Sequence, residues 1–272
     1  MTDQAGKYEH FLALHQGPAP LLMPNAWDHG SAALLASLGF EAIATTSSGF
    51  AATLGQLDNT VTRDQALEHS RAMAAAVSIP VSADLENCFA DDPAGVAETV
   101  RLAAGTGLAG CSVEDSTGRS DDPIYEPGLA AERVAAAVEA ARGSGSRLVL
   151  TARAENFLHG RPDLKDTIAR LQAYQAAGAD VLYAPGLTAL DDIRAVVSSV
   201  DRPVNVLTFA GTPGVAQLTD AGVRRISVGG AFAYTAYGAL ADAARELREQ
   251  GSYGFLAGAR TGRAAVQAAF GD

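Results

Sequence analysis

Along this chain, short apolar runs rich in β-prone residues alternate with longer alanine-rich stretches whose apolar positions recur at helical spacing. Eight runs read as strands: LLMPNAW (21–27), EAIATTS (41–47), PVSADLE (80–86), AGCSVED (109–115), RLVLTAR (147–153), DVLYAPG (180–186), PVNVLT (203–208) and RRISVGG (224–230). Between them lie amphipathic segments such as TRDQALEHSRAMAAAV, DPAGVAETVRLAAGTG and DLKDTIARLQAYQAAGA. Several close with glycine, which tolerates the turn at a helix C-terminus. Thr62 with Gln65, and Asp92 before Pro93, supply N-terminal caps. Strands alternating with helices predict a parallel sheet with right-handed crossovers. Eight such units predict closure into an α/β (β/α)8 TIM barrel, with residues 1–272 as one domain. An open doubly wound sheet is the alternative. Its dinucleotide-binding version is disfavoured, because no glycine-rich turn follows the first run. Residues 231–272 read as C-terminal helices, interrupted by the glycine-aromatic break GSYGF.

Polar residues gather where these runs end: Thr46-Ser47-Ser48, Asp84 and Glu86, Glu114, Arg153, Tyr183 and Asn205. In a barrel, that end of the strands builds the active site. Residues two apart on a strand share a face, so Asp84 points with Glu86, Ser112 with Glu114, and Thr151 with Arg153. Helix capping explains any one of these ends but not four in succession. Carboxylates gathered beside one arginine suit a hard divalent cation holding an anionic substrate, with the arginine on the substrate's carboxylate. Asp115 faces away from Glu114 and is expected to pair with a neighbouring element.

Composition narrows the field. The net charge of −11 and pI near 4.8 argue against nucleic-acid and anionic-membrane partners. They leave an anionic small molecule open, because a local cation and arginine override the global field. The two cysteines, Cys88 and Cys111, form no disulfide framework and point to packing and a reducing cytoplasm. The N-terminal segment lacks a signal-peptide pattern, and no apolar run reaches membrane-spanning length. The only lysines are Lys7 and Lys165. Neither ends a strand, so a Schiff-base aldolase is disfavoured. His10, His15, His29 and His69 fall on helical or flanking segments and are expected to be solvated or capping. Trp27 is balanced between floor packing and a substrate wall.

The ordered set TTSSGFAA, Asp58 in GQLDNT, ADLEN, the VED of CSVEDS, TARAE, AYQAAGADVLYAPG and PVNV resembles the isocitrate lyase/phosphoenolpyruvate mutase superfamily, from about Asn25 to Phe232. The resemblance implies a (β/α)8 barrel whose last helix is exchanged between subunits, in a homodimer or homotetramer. It also implies a Mg²⁺ ion, or Mn²⁺, at the barrel mouth, and a small 2-oxo or 2-hydroxy acid cleaved or rearranged through an enolate. Carried over by position, Thr46, Ser47 and Ser48 would bind the substrate carboxylate. Asp58, Asp84, Glu86 and Glu114 would hold the metal, largely through water, while Arg153 and Asn205 would bind substrate.

Four departures set the chain outside the well-characterised branches. Where the family has Asp-x-Asp-x-Gly-aromatic-Gly, this chain has Asp84-Leu-Glu86-Asn87-Cys88-Phe89-Ala90, without either glycine. The loop STGRSDDPIYEP has no counterpart of the lyases' Lys-x-Cys-Gly-His motif or of the mutases' lysine and asparagine. Ala44 stands where the mutases have tryptophan, and Thr208 where the lyases have glutamate. The expected activity is therefore a Mg-dependent carbon–carbon lyase. A P–C bond enzyme, a 2-oxo acid decarboxylase and a non-catalytic 2-oxo-acid-binding barrel are the alternatives. Candidates for the protonating group are Tyr183, His159 and a metal-bound water. The loop 116–128, with hinge points such as Gly118 and with Arg119 as its cation, is a candidate lid.

Overall fold

The structure is a computed structural model, and it describes residues 4–143, 145 and 147–271. Nine strand segments form one parallel sheet in the order β1-β9-β8-β7-β6-β5-β4-β3-β2. They are β1 (Leu21–Met23), β2 (Asn25–Ala26), β3 (Ile43–Thr45), β4 (Val81–Asp84), β5 (Gly110–Glu114), β6 (Val149–Arg153), β7 (Val181–Tyr183), β8 (Val204–Leu207) and β9 (Arg225–Ser227). The first two are one run divided at Pro24, which has no N–H to give to the ladder. β1 pairs with β9 and β2 with β3, so the sheet closes on itself through this divided strand. The eight sequence runs are thus the eight staves of a TIM barrel.

Eleven α-helices surround or extend it among the described residues: α1 (Gln4–Leu14), α2 (His29–Ser37), α3 (Ser47–Thr53), α4 (Arg63–Ala76), α5 (Pro93–Ala104), α6 (Pro127–Gly143), α7 (Leu164–Ala176), α8 (Leu190–Ser198), α9 (Val215–Asp220), α10 (Ala231–Arg245) and α11 (Leu256–Phe270). Thr62 and Gln65 make a reciprocal capping box on α4, and Asp92 caps α5 ahead of Pro93. A large apolar core fills the space between strands and helices, and Cys88 and Cys111 are fully buried in it. A second, smaller cluster closes the barrel floor. There Tyr8 and Phe11 of α1 pack against Leu21, Met23, Ala42, Ala44, Val149 and Val181. Gly110 is required at that contact, since a Cβ there would stand 2.8 Å from the Phe11 ring.

His15 departs from its expected solvated place. It is 1% exposed, because the chain turns beneath the barrel after α1 and carries the ring into the floor. At the other end, α11 has no buried residue and α10 has only Ala233. Tyr234, Tyr237, Leu240, Leu247, Tyr253 and Leu256 are all exposed on this C-terminal arm. No helix of the described residues is long and apolar enough to cross a membrane.

Candidate active site

A cavity of about 230 Å³ opens at the C-terminal ends of the strands. That is below the roughly 300–1,000 Å³ of pockets for drug-sized ligands, so a small molecule is the better match. Its wall includes Thr46, Ser47, Ser48, Asp58, Asp84, Arg153, Tyr183 and Asn205.

Arg153 ends β6, and its planar fork meets three carboxylates. Nη1 lies 3.0 Å from Asp84 Oδ1, Nη2 3.2 Å from Glu114 Oε2, and Nε 2.7 Å from Glu155 Oε1. These anions hold its pKa well above the ordinary arginine value, against the opposing effect of burial. The guanidinium also sits 5.0 Å from the Tyr183 ring centroid. Burial raises the carboxyls of Glu114 and Glu155, with Arg153 opposing it in both.

Glu155 was not singled out from sequence, although it ends the TARAE motif. Its signal was there: an acid two residues beyond a buried arginine. Its position is set from behind. Asp115 Oδ1 accepts from the Glu155 backbone N–H at 2.8 Å, and Asp115 Oδ2 accepts from Arg170 at 3.0 Å and from the Tyr174 hydroxyl at 2.5 Å. Asp115 therefore pairs with a neighbouring element, α7, as its opposite facing implied.

Asp84 is the other organising group. Besides Arg153, it accepts from the backbone N–H of Ser47 at 3.3 Å and of Glu86 at 3.4 Å. The Asp58 carboxyl is raised by desolvation and then by Asp84, with the Ser47 side chain opposing. Thr46 and Ser48 hydroxyls lie 3.1 Å apart. Gly49 lets this turn pass Thr46 and Trp27, whose atoms a Cβ would meet at 2.6 and 3.0 Å. Trp27 thus packs on the turn and forms neither the floor nor the cavity wall.

Glu86 corrects one premise. β4 ends at Asp84, so Glu86 does not share a strand face with it. Instead Glu86, Cys88 and Phe89 all adopt positive φ, at 51°, 59° and 56°. The turn keeps a left-handed backbone although neither family glycine is present. Such residues strain L side chains. Arg133 clamps the turn, donating to the carbonyls of Asn87 at 2.6 Å, Ala90 at 2.8 Å and Asp91 at 3.1 Å. The turn buries Glu86, and its Oε1 has no hydrogen-bond partner. Desolvation, then Asp84 and Asp58, push its carboxyl up to about 8.

Other sequence candidates fall outside the cavity wall. His159 is exposed at the rim, beyond the cavity-lining Leu158, because the chain turns outward after Asn156. Gly118 and Arg119 sit on a hairpin closed by the Ser116–Ile124 bridge. Arg119 is turned away, 3.2 Å from Asp91, and Asp91 also takes a hydrogen bond from the Tyr125 hydroxyl. Glu114 stands behind Arg153 and is not itself part of the wall. Among the described residues, no three His, Cys, Asp or Glu side chains converge as a ready-made metal cage.

A parallel barrel with an acid-and-arginine mouth defines a class of small-acid enzymes, and the comparisons narrow it. The family profile described as phosphoenolpyruvate phosphomutase matches residues 11–248. The crystal structure of a "putative lyase/mutase" from Burkholderia cenocepacia J2315 superposes with a TM-score of 0.93 at 53% identity, covering 96% of this chain and 95% of the other. An uncharacterised protein of Mycobacterium tuberculosis H37Rv is 32% identical over 241 residues, 88% of this chain and 89% of that one. Oxaloacetate decarboxylase 2 of Pseudomonas putida W619 is 30% identical over 247 residues, 89% of this chain and 80% of that one. The chain belongs to the isocitrate lyase/phosphoenolpyruvate mutase superfamily, and its relatives make it a lyase-type enzyme.

Proposed function

We propose that this protein is a divalent-metal-dependent lyase that cleaves or forms a carbon–carbon bond in a small 2-oxo or 2-hydroxy carboxylate through an enolate. The observation that carries this reading is Arg153, a buried planar fork at the cavity wall, held by Asp84, Glu114 and Glu155. The fork matches a substrate carboxylate bidentately. On binding, the substrate would take over Nη1 and Nη2 while Glu155 keeps Nε and the orientation. Thr46, Ser47 and Ser48 would bind the same carboxylate, and Asn205 would hold the substrate from β8.

Asp58, Asp84, Glu86 and Glu114 would hold Mg²⁺ or Mn²⁺, largely through water. The residues fit such an ion. Glu86 Oε1 is buried without a partner, and its carboxyl is raised by burial and then by two neighbouring acids. An oxygen-only donor set suits a hard cation. When bound, the metal supplies Lewis-acid stabilisation of negative charge developing on the substrate oxygen.

The chain's own proton source would be Tyr183. Burial raises its phenol above the ordinary value, so it keeps its proton at neutral pH. It lines the cavity beside Arg153 and can donate to the enolate carbon. A decarboxylase of the same superfamily is the second reading, supported by the 30% identity to oxaloacetate decarboxylase. Loss of CO₂ needs no base at a substrate hydroxyl, only enolate stabilisation and a proton. Turnover with Mg²⁺ against a panel of 2-oxo, 2-hydroxy and phosphono acids tests these readings. Release of a smaller 2-oxo acid without CO₂ supports the lyase, and release of CO₂ beside it supports the decarboxylase. Phosphono-acid turnover alone shifts the assignment to P–C chemistry. No turnover, with binding retained, leaves a non-catalytic binding barrel.

The C-terminal arm would pack on a second copy of the chain, giving a homodimer or homotetramer. Its exposed tyrosines and leucines are apolar groups that a second copy could cover.

A further inference from the structure

Among the described residues four arginines are withdrawn from solvent, and two of them meet carboxylates. Arg153 meets three carboxylates, and Arg170 meets Asp115 and Asp166. Arg133 is wrapped by three carbonyl oxygens, with the Tyr125 ring centroid 3.9 Å away. Arg225, like Arg133, meets no carboxylate, but of the two it is the one that faces the cavity. It is 3% exposed, opens β9 and lines the cavity.

All its partners are neutral. Nε donates to Asn205 Oδ1 at 3.0 Å, and Nη1 donates to Thr151 Oγ1 at 3.1 Å. Nη1 also faces His15 Nε2 at 3.4 Å. His15 Nδ1 lies 2.8 Å from the Phe11 carbonyl, which can only accept, so Nδ1 carries the proton and Nε2 offers a lone pair. Among the described residues, no carboxylate stands within ion-pair distance of Arg225, and no group accepts from Nη2. A buried charge with only neutral partners is costly, and an anion in the adjoining space relieves that cost.

The position says which anion. Thr151 lies two residues before Arg153 on β6, on the same face and about 6.6 Å deeper. Arg225, bound to Thr151, therefore lies below the carboxylate anchor and deeper in the same cavity. The polar side chains of Ser82, Ser112 and Asn205 line the cavity with it.

We infer that Arg225 is a second carboxylate-binding residue on the cavity floor, and that it makes the enzyme select acids carrying a second carboxylate. This rests on the 2-oxo/2-hydroxy acid reading of the site. Asn205 then acts partly as a positioning residue, since its amide joins Arg225 to Ser227.

Malate and 2-hydroxybutyrate differ by a carboxylate in place of a methyl group, and their affinities in the presence of Mg²⁺ can be compared by calorimetry. The wild type is expected to bind malate at least tenfold more tightly. Arg225→Gln is expected to erase that ratio through malate alone, leaving 2-hydroxybutyrate within twofold. An unchanged ratio, or an equal loss for both acids, overturns the assignment. Should Arg225→Gln fail to fold, Arg225→Lys keeps the charge without the fork, and its ratio should fall at least threefold; no change overturns the inference. Formate separates a free small carboxylate from a substrate's own. If neither hydroxy acid binds the wild type, the proposed substrate class fails. A formate-induced rise in melting temperature, lost in the Arg225 variant, would still support the pocket. No formate effect in that case removes the pocket as well.

Discussion

Acidification should expose the buried histidine in the barrel floor. His15 must stay neutral in the fold, because its Nε2 faces the Arg225 guanidinium at 3.4 Å. Protonation there would replace an acceptor with a second cation. Burial, then Arg225, lower its pKa to about 3, against about 6.5 in an unfolded chain. The sign follows. Between those two values the unfolded state binds the extra proton, so stability rises with pH across this window. The contribution is fully present above about pH 6.5 and is lost as pH falls toward 3. One pH unit inside the window is worth about 1.4 kcal/mol, so moving from pH 7.5 to pH 5 should cost about 2 kcal/mol from this residue. Other groups act in the opposite sense. The raised carboxyls of Asp115 and Asp180 favour the fold on acidification. The measurement therefore needs a difference. His15→Gln cannot titrate but can still donate to Phe11 and accept from Arg225. Urea unfolding of both proteins at pH 7.5, 6, 5 and 4.5 gives the stability gap at each pH. The gap should shrink by about 2 kcal/mol between pH 7.5 and pH 5, in the variant's favour. A gap independent of pH would refute the neutral, arginine-facing histidine.

Four further outcomes follow from the site and the arm. Mg²⁺ or Mn²⁺ should raise the melting temperature of the wild type and not of Asp84→Ala; a metal-independent wild-type melt would count against the site. Arg153→Lys keeps the charge but loses the fork, and calorimetry should show 2-oxo-acid binding weakened by about 1–3 kcal/mol. Unchanged affinity would make Arg153 structural. Sedimentation should give a dimer or tetramer, and a single species of 27.9 kDa would sink the arm-mediated assembly. We propose that the 116–128 hairpin is a lid released from Asp91 when substrate binds. Arg119→Ala should then lower turnover, while the loss of an exposed ion pair costs at most about 1 kcal/mol of stability. Full activity in that variant would leave the hairpin inert.

The barrel was legible because its signals are local and periodic. Each strand run has its own apolar pattern, and the polar residues at the run ends fall where a parallel barrel turns them inward. Thr46, Asp84, Arg153, Tyr183 and Asn205 were all readable on that basis, and all line the cavity. Glu86 was readable as an acid near the mouth, but the left-handed turn that delivers it was not. Without the family glycines the backbone path there was not readable, and the compensating clamp, Arg133, lies 47 residues further along the chain. His159 and Arg119 show the opposite failure. Both lie close in sequence to a strand end, yet a loop of a few residues can turn a side chain either way. His15 and Arg225 are 210 residues apart and meet only because α1 closes the floor under the first and last staves.

The charge distribution reconciles an acidic protein with an anionic substrate. Its many surface acids sit in water: the Asp191 and Asp64 side chains are 94% and 89% exposed. Charges in that position are screened within about 8–10 Å at ordinary ionic strength. Arg153 and Arg225 are in the barrel, where neighbouring groups, not the net charge of −11, set the local field. Arg153 is held in reserve by acids that a metal or a substrate carboxylate can relieve. Arg225 is held by neutral oxygens and a neutral imidazole, so its field remains directed into the cavity. One cation is anion-paired until a ligand arrives, and the other stays unpaired. A single small diacid can satisfy both, whereas a monoacid leaves the deeper charge exposed to the cavity. The sum of charges over the chain therefore bears on solubility and nonspecific partners, and the substrate choice proposed above rests on two guanidinium groups.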